Sequence, residues 1–346
     1  MAPPRRRAHG GRPLAVTIRD VARRAQVSVS TVSRAFTMPD LVREATRTRV
    51  LGVARELGYR PSRAARSLTT GRTGSLGVIV PDLGNPYFPA VLKGAQVRAL
   101  QADHAIFLAD TDENPRLEAE LIRTMAKQVD GVVLCSSRMA LAELRQVASE
   151  TLIVLINRRI QDVPTVLMDN AGGVRQVIQH LAALGHRRCA FLSGPRNSWS
   201  NHQRRRGLRA AAPAHGIEVL ELGPFAPRFE AGVQGADVAL AAGVTAVLAF
   251  NDLMALGVLS RLADRGVAVP AEVSVVGFDN IPMSGMTTPP LTTVELPMEL
   301  SGRVAVELLL ERLADRDAGS DGAGQRVLGT QLIVRSSTAP SREKGS

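Results

Sequence analysis

The sequence predicts two architectures in one chain: a small all-α helix-turn-helix headpiece, then a larger doubly wound α/β core. Three observations carry this. Apolar residues recur at helical spacing through 17–57, interrupted by short turns. From Ser75 onward, short apolar runs alternate with amphipathic helical stretches, the pattern of a parallel sheet covered on both faces. The charge changes at the same place. Residues 1–74 hold 16 of the 43 Lys and Arg but 4 of the 32 Asp and Glu, a net of +12, whereas the remainder nets −1. A surplus so localised directs the first fifth of the chain towards a polyanion.

Bulk composition excludes other classes. At 346 residues, 45% hydrophobic and 22% charged, the chain reads as a globular protein of two or three domains. Forty of its basic residues are Arg and three are Lys, a coding bias that would not by itself collect charge at one end. Cys135 and Cys189 lie in apolar runs without metal-ligand spacing and are expected to be reduced core residues. No apolar run approaches the ~20 residues that span a bilayer. Residues 1–16 read as a basic tail with no signal-peptide core. The six His are scattered, and no GxSxG or P-loop string is present, so neither catalysis, nor a metal site, nor a cofactor is expected. His186, in LGHRR before a strand, is expected to be structural.

In the headpiece, expected over 17–61, Thr17 with Asp20 three residues on makes a capping-box start to the first helix. Ile18, Val21, Ala22 and Ala25 form its inner face, and Gln26-Val27 makes the turn. Ser28 caps a second helix from about Val29 to Ala35. Val32 and Phe36 face inward there, leaving Val29, Ser30, Ser33 and Arg34 outward. A third helix, about 44–57, closes the small core with Val50, Ala54 and Leu57. A helix-turn-helix lays its second helix in the major groove with its N-terminal residues at base edges. Thr17, Ser28, Val29, Ser30, Thr31, Ser33 and Arg34 are therefore the candidate DNA contacts. Arg34 has the reach to pair with guanine.

The residues DVA (20–22), VS (27–28), TVSR (31–34), TR (46–47), LGYRPS (57–62) and ARSL (65–68) together resemble the lactose/galactose-repressor (LacI/GalR) family of bacterial transcription regulators. Two positions depart from it: the family usually has Gly at Gln26 and Ser at Arg43, so the third helix has a weaker or shifted cap. The segment 62–74 reads as a hinge helix and linker, capped by Ser62 and too short to be stable alone. The resemblance implies that two such hinges meet in the minor groove, with Arg63, Ala65, Arg66 and Leu68 at the DNA and Leu68 wedging a base step.

The core, 75–338, is expected to hold strands at 75–81, 104–110, 131–136, 151–157, 187–194, 246–251 and 273–279. Helix 115–128 is amphipathic through Leu117, Leu121 and Met125. The landmarks LGVIVPDLGNPYF (76–88), DGVVL (130–134), LGHRR (184–188), FNDLMALG (250–257), VSVVGFDN (273–280) and PPLTTVELP (289–297) extend the resemblance. It implies a periplasmic-binding-protein-like pair of lobes with a ligand cleft between them. Lobe 1 would span about 75–168 and 297–313. Lobe 2 would span about 169–290 and a last strand, 327–334. Residues 319–325 would be a loop and 339–346 a tail.

Ligands of such sheets bind beyond the carboxyl ends of the strands. The polar and aromatic residues there are Asp82, Asn85, Tyr87, Phe88, Arg158, Trp199, Ser200, Arg204, Asn251 and Asp279, the candidate effector contacts. Asp252 reads as a helix cap. The resemblance implies effector hydrogen bonds from Arg204, Asn251 and Asp279. The resulting expectation is an effector-controlled repressor, in the bacterial cytoplasm on the nucleoid. It would be a homodimer on a pseudo-palindromic operator, meeting its mate through helices including 87–101 and 115–128. A sugar or sugar derivative is the expected effector. The alternative is a nucleobase or other metabolite acting as co-repressor.

Overall fold

The computed structural model describes residues 16–59, 72–318 and 324–341, and the chain divides into two compact units at Gly74–Ser75. The hinge residues Arg63, Ala65, Arg66 and Leu68, most of the basic tail and the 319–323 loop lie outside the described residues.

The first unit is a three-helix bundle: α1 (Ile18–Ala25), α2 (Val29–Thr37) and α3 (Glu44–Glu56). Val21, Ala22, Ala25, Val32, Ala35, Val50 and Ala54 are its buried core, with Ile18, Phe36 and Leu57 packed against it. The Asp20 carboxylate accepts from the Thr17 backbone N–H at 3.0 Å and from its hydroxyl at 2.7 Å, which fixes the start of α1. Gln26 ends that helix in the left-handed region, φ 52°. Glycine adopts that conformation freely, which accounts for the glycine of the resembled family at this position. Arg43 provides no side-chain cap to α3.

The second unit holds two six-stranded sheets, each with helices on both faces. Sheet 1 runs in the order β11-β5-β4-β3-β1-β2. Its strands are β1 (Ser75–Val80), β2 (Ala105–Asp110), β3 (Gly131–Cys135), β4 (Ile153–Ile156), β5 (Thr165–Met168) and β11 (Gln325–Leu328), all parallel. Helices α4 (Tyr87–Gln101) and α11 (Met298–Ala318) cover one face, α5 (Pro115–Met125) and α6 (Leu141–Glu150) the other. The α4–α11 approach is backbone-close. A Cβ at Gly94 would lie 1.8 Å from the Glu299 carbonyl oxygen, so only glycine allows that packing.

Sheet 2 runs β12-β10-β9-β8-β6-β7. It contains β6 (Arg188–Leu192), β7 (Glu218–Leu222), β8 (Ala246–Ala249), β9 (Ser274–Asp279), β10 (Thr292–Glu295) and β12 (Gln331–Ile333), only β12 antiparallel. Helices α7 (Asn170–Ala183) and α8 (Trp199–Ala211) flank one side, α9 (Phe229–Ala241) and α10 (Asp252–Asp264) the other. Both cysteines are buried and free, and burial pushes each thiol up to about 12.

Three expectations are corrected. The strand foreseen at 327–334 is two strands, β11 in sheet 1 and β12 in sheet 2, so the chain returns to lobe 1 before ending in lobe 2. Gln325, placed in a loop, opens β11. Part of the expected tail is laced onto lobe 2: Ala339 N–H donates to Ser274 Oγ at 3.1 Å and Ser341 N–H to the Leu184 carbonyl at 2.8 Å. Buried His186 belongs to this lacing, its ring nitrogens 2.9 Å from Thr245 Oγ1 and 3.1 Å from the Ala339 carbonyl.

A candidate nucleic-acid interface and a candidate effector cleft

On the headpiece, the Ser28 side chain accepts from the Thr31 backbone N–H at 3.1 Å and so sets where α2 begins. Its hydroxyl also lies 2.7 Å from Ser30 Oγ and 2.8 Å from Thr31 Oγ1, which orders the first turn. Val29, Ser30 and Arg34 are exposed on the outer face, with Thr31 and Ser33 half-buried beside them. An apolar side chain, a hydroxyl and a guanidinium at the open end of a helix can read base edges in a major groove.

In the second unit, the cleft forms where carboxyl ends of strands from both sheets converge. It is narrow: the space open to a water-sized sphere is about 40 Å³, within about 400 Å³ of empty space that includes open solvent. Of the ten candidate effector residues, Asn85, Tyr87, Phe88, Ser200, Arg204, Asn251 and Asp279 line it. Asp82, Arg158 and Trp199 do not. Asp82 lies 3.6 Å from Arg228 and accepts from the Gly84 N–H at 2.8 Å. Arg158 donates to the Met139 carbonyl at 3.0 Å. Trp199 opens α8, half-buried, between two lining serines, Ser198 and Ser200.

Asp279 and Arg204 form the charged floor. Asp279 ends β9 at φ 124°, a region that L residues rarely adopt, and strain of that kind gathers at ligand sites. Arg204 Nη2 lies 3.6 Å from its Oδ1, an ion pair too long to be a hydrogen bond. The rest of Arg204 is occupied: Nε donates to Asn170 Oδ1 at 2.9 Å, Nη1 donates to the Phe250 carbonyl, and the guanidinium lies over the Phe278 and Phe250 rings. Burial raises the Asp279 carboxyl well above its ordinary range, Arg204 opposing it, and lowers Arg204 to about 10. Burial also raises Tyr87, with Asp279 adding to it.

Asn251, not Asp252, caps α10: its Oδ1 accepts from the Met254 N–H at 2.9 Å while its Nδ2 donates to the Pro227 carbonyl at 3.0 Å. Asp252 is instead a fully buried clamp. It accepts from the Ile281 N–H at 3.0 Å, Ser284 Oγ at 2.5 Å and Thr293 Oγ1 at 2.6 Å, and so holds the turn that follows Asp279.

Sequence reasoning missed Glu113, Ser136, Arg138, Asn157 and Phe250, all in the lining. Asn157 is the informative one. It follows β4 at φ 53°, is 4% exposed, and donates from Nδ2 to the Tyr87 hydroxyl at 2.9 Å. Its Oδ1 is buried without a hydrogen-bond partner. An orphaned acceptor in a lined cavity is costly unless a ligand supplies a donor. The strand end at Asn157 was legible, yet the charged neighbour Arg158 drew the reading one residue too far.

Among the described residues, no group of three or more His, Cys, Asp or Glu could hold a metal ion, and no helix is long and apolar enough to cross a membrane.

Comparison with known proteins identifies both units. Residues 17–62 match the family model for bacterial regulatory proteins of the lacI family, and residues 178–338 match a periplasmic binding protein-like domain. The chain is 35% identical over 334 residues to the HTH-type transcriptional repressor CytR of Escherichia coli (strain K12), covering 94% of this chain and 96% of that one. Among solved structures it is similar to the lac repressor dimer bound to operator and the anti-inducer ONPF (27% identity, TM-score 0.82, 94% of this chain and 100% of that chain). It is also similar to a transcriptional regulator CelR–cellobiose complex (33% identity, TM-score 0.69, 93% and 99%).

Proposed function

Since the chain belongs to the LacI family of bacterial regulatory proteins, we propose that it is a dimeric, operator-binding repressor whose cleft takes a small polyhydroxylated effector, a sugar or sugar derivative. It acts in the bacterial cytoplasm, on the nucleoid. Val29, Ser30 and Arg34 read one half-site, and the dimer reads a pseudo-palindrome. The hinge residues Arg63, Ala65, Arg66 and Leu68 join them at the DNA.

The dimer reading is supported by exposed apolar residues on lobe 1: Val97 and Leu100 of α4, and Phe107 and Leu108 on the two faces of the edge strand β2. The other expected helix, 115–128, has no large hydrophobic residue among those exposed. Its polar outer face suits solvent, so α4 and β2 are the proposed surface.

The observation that carries the effector reading is the orphaned Asn157 Oδ1, an acceptor, in the same lining as the Asp279 carboxyl, which accepts and, when protonated, donates. Together they ask for a ligand rich in hydroxyls, which do both. A flat base is less well served. Tyr87 and Phe88 are almost fully buried and meet edge to face at 5.0 Å, and Arg204 covers the Phe250 ring at 4.7 Å. Effector and operator are coupled reciprocally: each changes the affinity of the other by the same factor. The test is operator binding titrated with sugars and nucleosides. Asp279→Ala removes the response to whichever compound acts on wild type and leaves operator affinity in place. A folded Asp279→Ala protein that responds like wild type overturns the proposal.

A further inference from the structure

The elbow after β2 shows an unusual backbone. Asp112 and Glu113 are consecutive non-glycine residues in the left-handed region, at φ 47° and 59°. The elbow is pinned on both sides, Thr111 N–H to the Val80 carbonyl at 3.1 Å and Glu113 N–H to the Pro81 carbonyl at 2.7 Å. Two strained residues in succession persist only where surrounding contacts hold them.

What the elbow presents to the cleft is the Glu113 carboxylate, and it meets Arg138 in a fork. Arg138 Nε donates to Oε2 at 2.5 Å and Nη2 to Oε1 at 2.9 Å. Nη1 donates to the Ser136 carbonyl at 2.8 Å, so each of the three guanidinium nitrogens donates once. The Arg138 side chain is 5% exposed. Its backbone carbonyl accepts from Asn197 Nδ2 of lobe 2 at 3.0 Å, which places the pair where the lobes meet. A bidentate fork of this kind is how an arginine captures a carboxylate or phosphate. Here the protein's own carboxylate already occupies it.

Arg228, on the more exposed side of Glu113, is paired with Asp112 and Asp82. The buried charges next to the fork cancel among themselves. Glu118 accepts from the Arg138 N–H at 2.7 Å and from Ser137 Oγ at 2.6 Å, and Arg158 interacts with both Glu118 and Arg138. Arg204, the other lining arginine, is matched by Asp279. Without Glu113 one buried positive charge would stand uncompensated.

We propose that Glu113 is an internal counter-ion that fills the anion-binding fork of Arg138 and so restricts the cleft to uncharged ligands, excluding their phosphorylated or carboxylated counterparts. The proposal rests on the reading of the cleft as an effector site and adds what decides its charge preference.

The test uses inorganic phosphate as probe on the full chain, at fixed ionic strength. Unfolding of the core is followed through Trp199, the only tryptophan. Three proteins are compared: wild type, Glu113→Gln, and Glu113→Gln with Arg138→Gln. Phosphate bound by the basic headpiece is common to all three and cancels. The shape-conserving Glu113→Gln exposes an unmatched fork, so its melting temperature rises by about 2–4 °C more than that of wild type at millimolar excess of phosphate. The double variant follows wild type. A folded Glu113→Gln protein with the wild-type phosphate dependence overturns the proposal. So does a double variant that keeps the extra rise, because the anion would then not be held by Arg138. Either failure leaves the effector cleft standing on Asp279 and Asn157, whose test is separate.

Discussion

Asp252 anchors three hydrogen bonds in lobe 2, and their loss sets the effect of replacing it. Its carboxylate accepts one backbone N–H, from Ile281, and two hydroxyl donors, from Ser284 and Thr293, all within the buried core of lobe 2. Asp252→Ala leaves the N–H with no acceptor, which costs about 1–3 kcal/mol for a buried donor. The hydroxyls can rotate towards other acceptors, so each is charged about 1 kcal/mol for the lost bond. The total is about 3–5 kcal/mol, against a whole stability of about 5–15 kcal/mol. The core remains folded, and its melting temperature falls by roughly 6–20 °C. Asp252→Asn keeps one acceptor and loses about half as much. The consequence reaches the cleft, because the clamped turn follows Asp279. Calorimetric unfolding of both variants measures the stability loss, and effector titration measures the weakening in the cleft. A loss below about 1 kcal/mol in the alanine variant would refute the assignment of Asp252 as the clamp of this turn.

Three further outcomes are expected. Arg34→Ala costs about 1–3 kcal/mol at the cognate base pair and relaxes discrimination there, as operator-variant binding assays would read; equal weakening on all sequences would reduce Arg34 to a phosphate contact. Leu100→Glu with Phe107→Glu places two charges on residues that are 63% and 46% exposed, so sedimentation should find monomers and operator affinity should fall; an intact dimer moves the interface elsewhere. Burial raises the Asp279 carboxyl in the folded state above its unfolded value of about 3.9, so its stabilising contribution is complete below that pH and is lost as pH rises through the folded value. The urea stability of wild type minus that of Asp279→Asn should therefore decline with rising pH, and a difference that grows would contradict it.

The helical periodicity and caps of the headpiece were legible because they are local: Thr17, Asp20 and Ser28 act within three residues of themselves. The buried strands β1, β3, β4, β6, β8 and β9 were legible as continuous apolar runs. Strand β7 was not, because its exposed Glu218 and Glu221 stand three residues apart and break both the continuous apolar run and the period of two. Four-residue β5 has too few apolar positions for its period to register. Asp279 and Arg204 were recognised by their place after strands and by resemblance. Glu113 and Arg138 could not be, since 25 residues separate them and only the register of β1 between β2 and β3 brings the two strand ends together. Neither type nor spacing announces a pair that topology alone creates.

The closing segments of the chain have a consequence for synthesis. Strand β11 completes one sheet, β12 completes the other, and the residues up to Ser341 lace the second lobe shut. On a ribosome, neither lobe has its full set of strands until β11 and β12 emerge. The headpiece is complete much earlier, and at about 5–20 residues per second the ~275 residues from there to β12 take about 15–55 s. A premature stop codon in the last few dozen positions would thus open the edges of both lobes at once, leaving the DNA-reading bundle intact on a core unable to answer an effector.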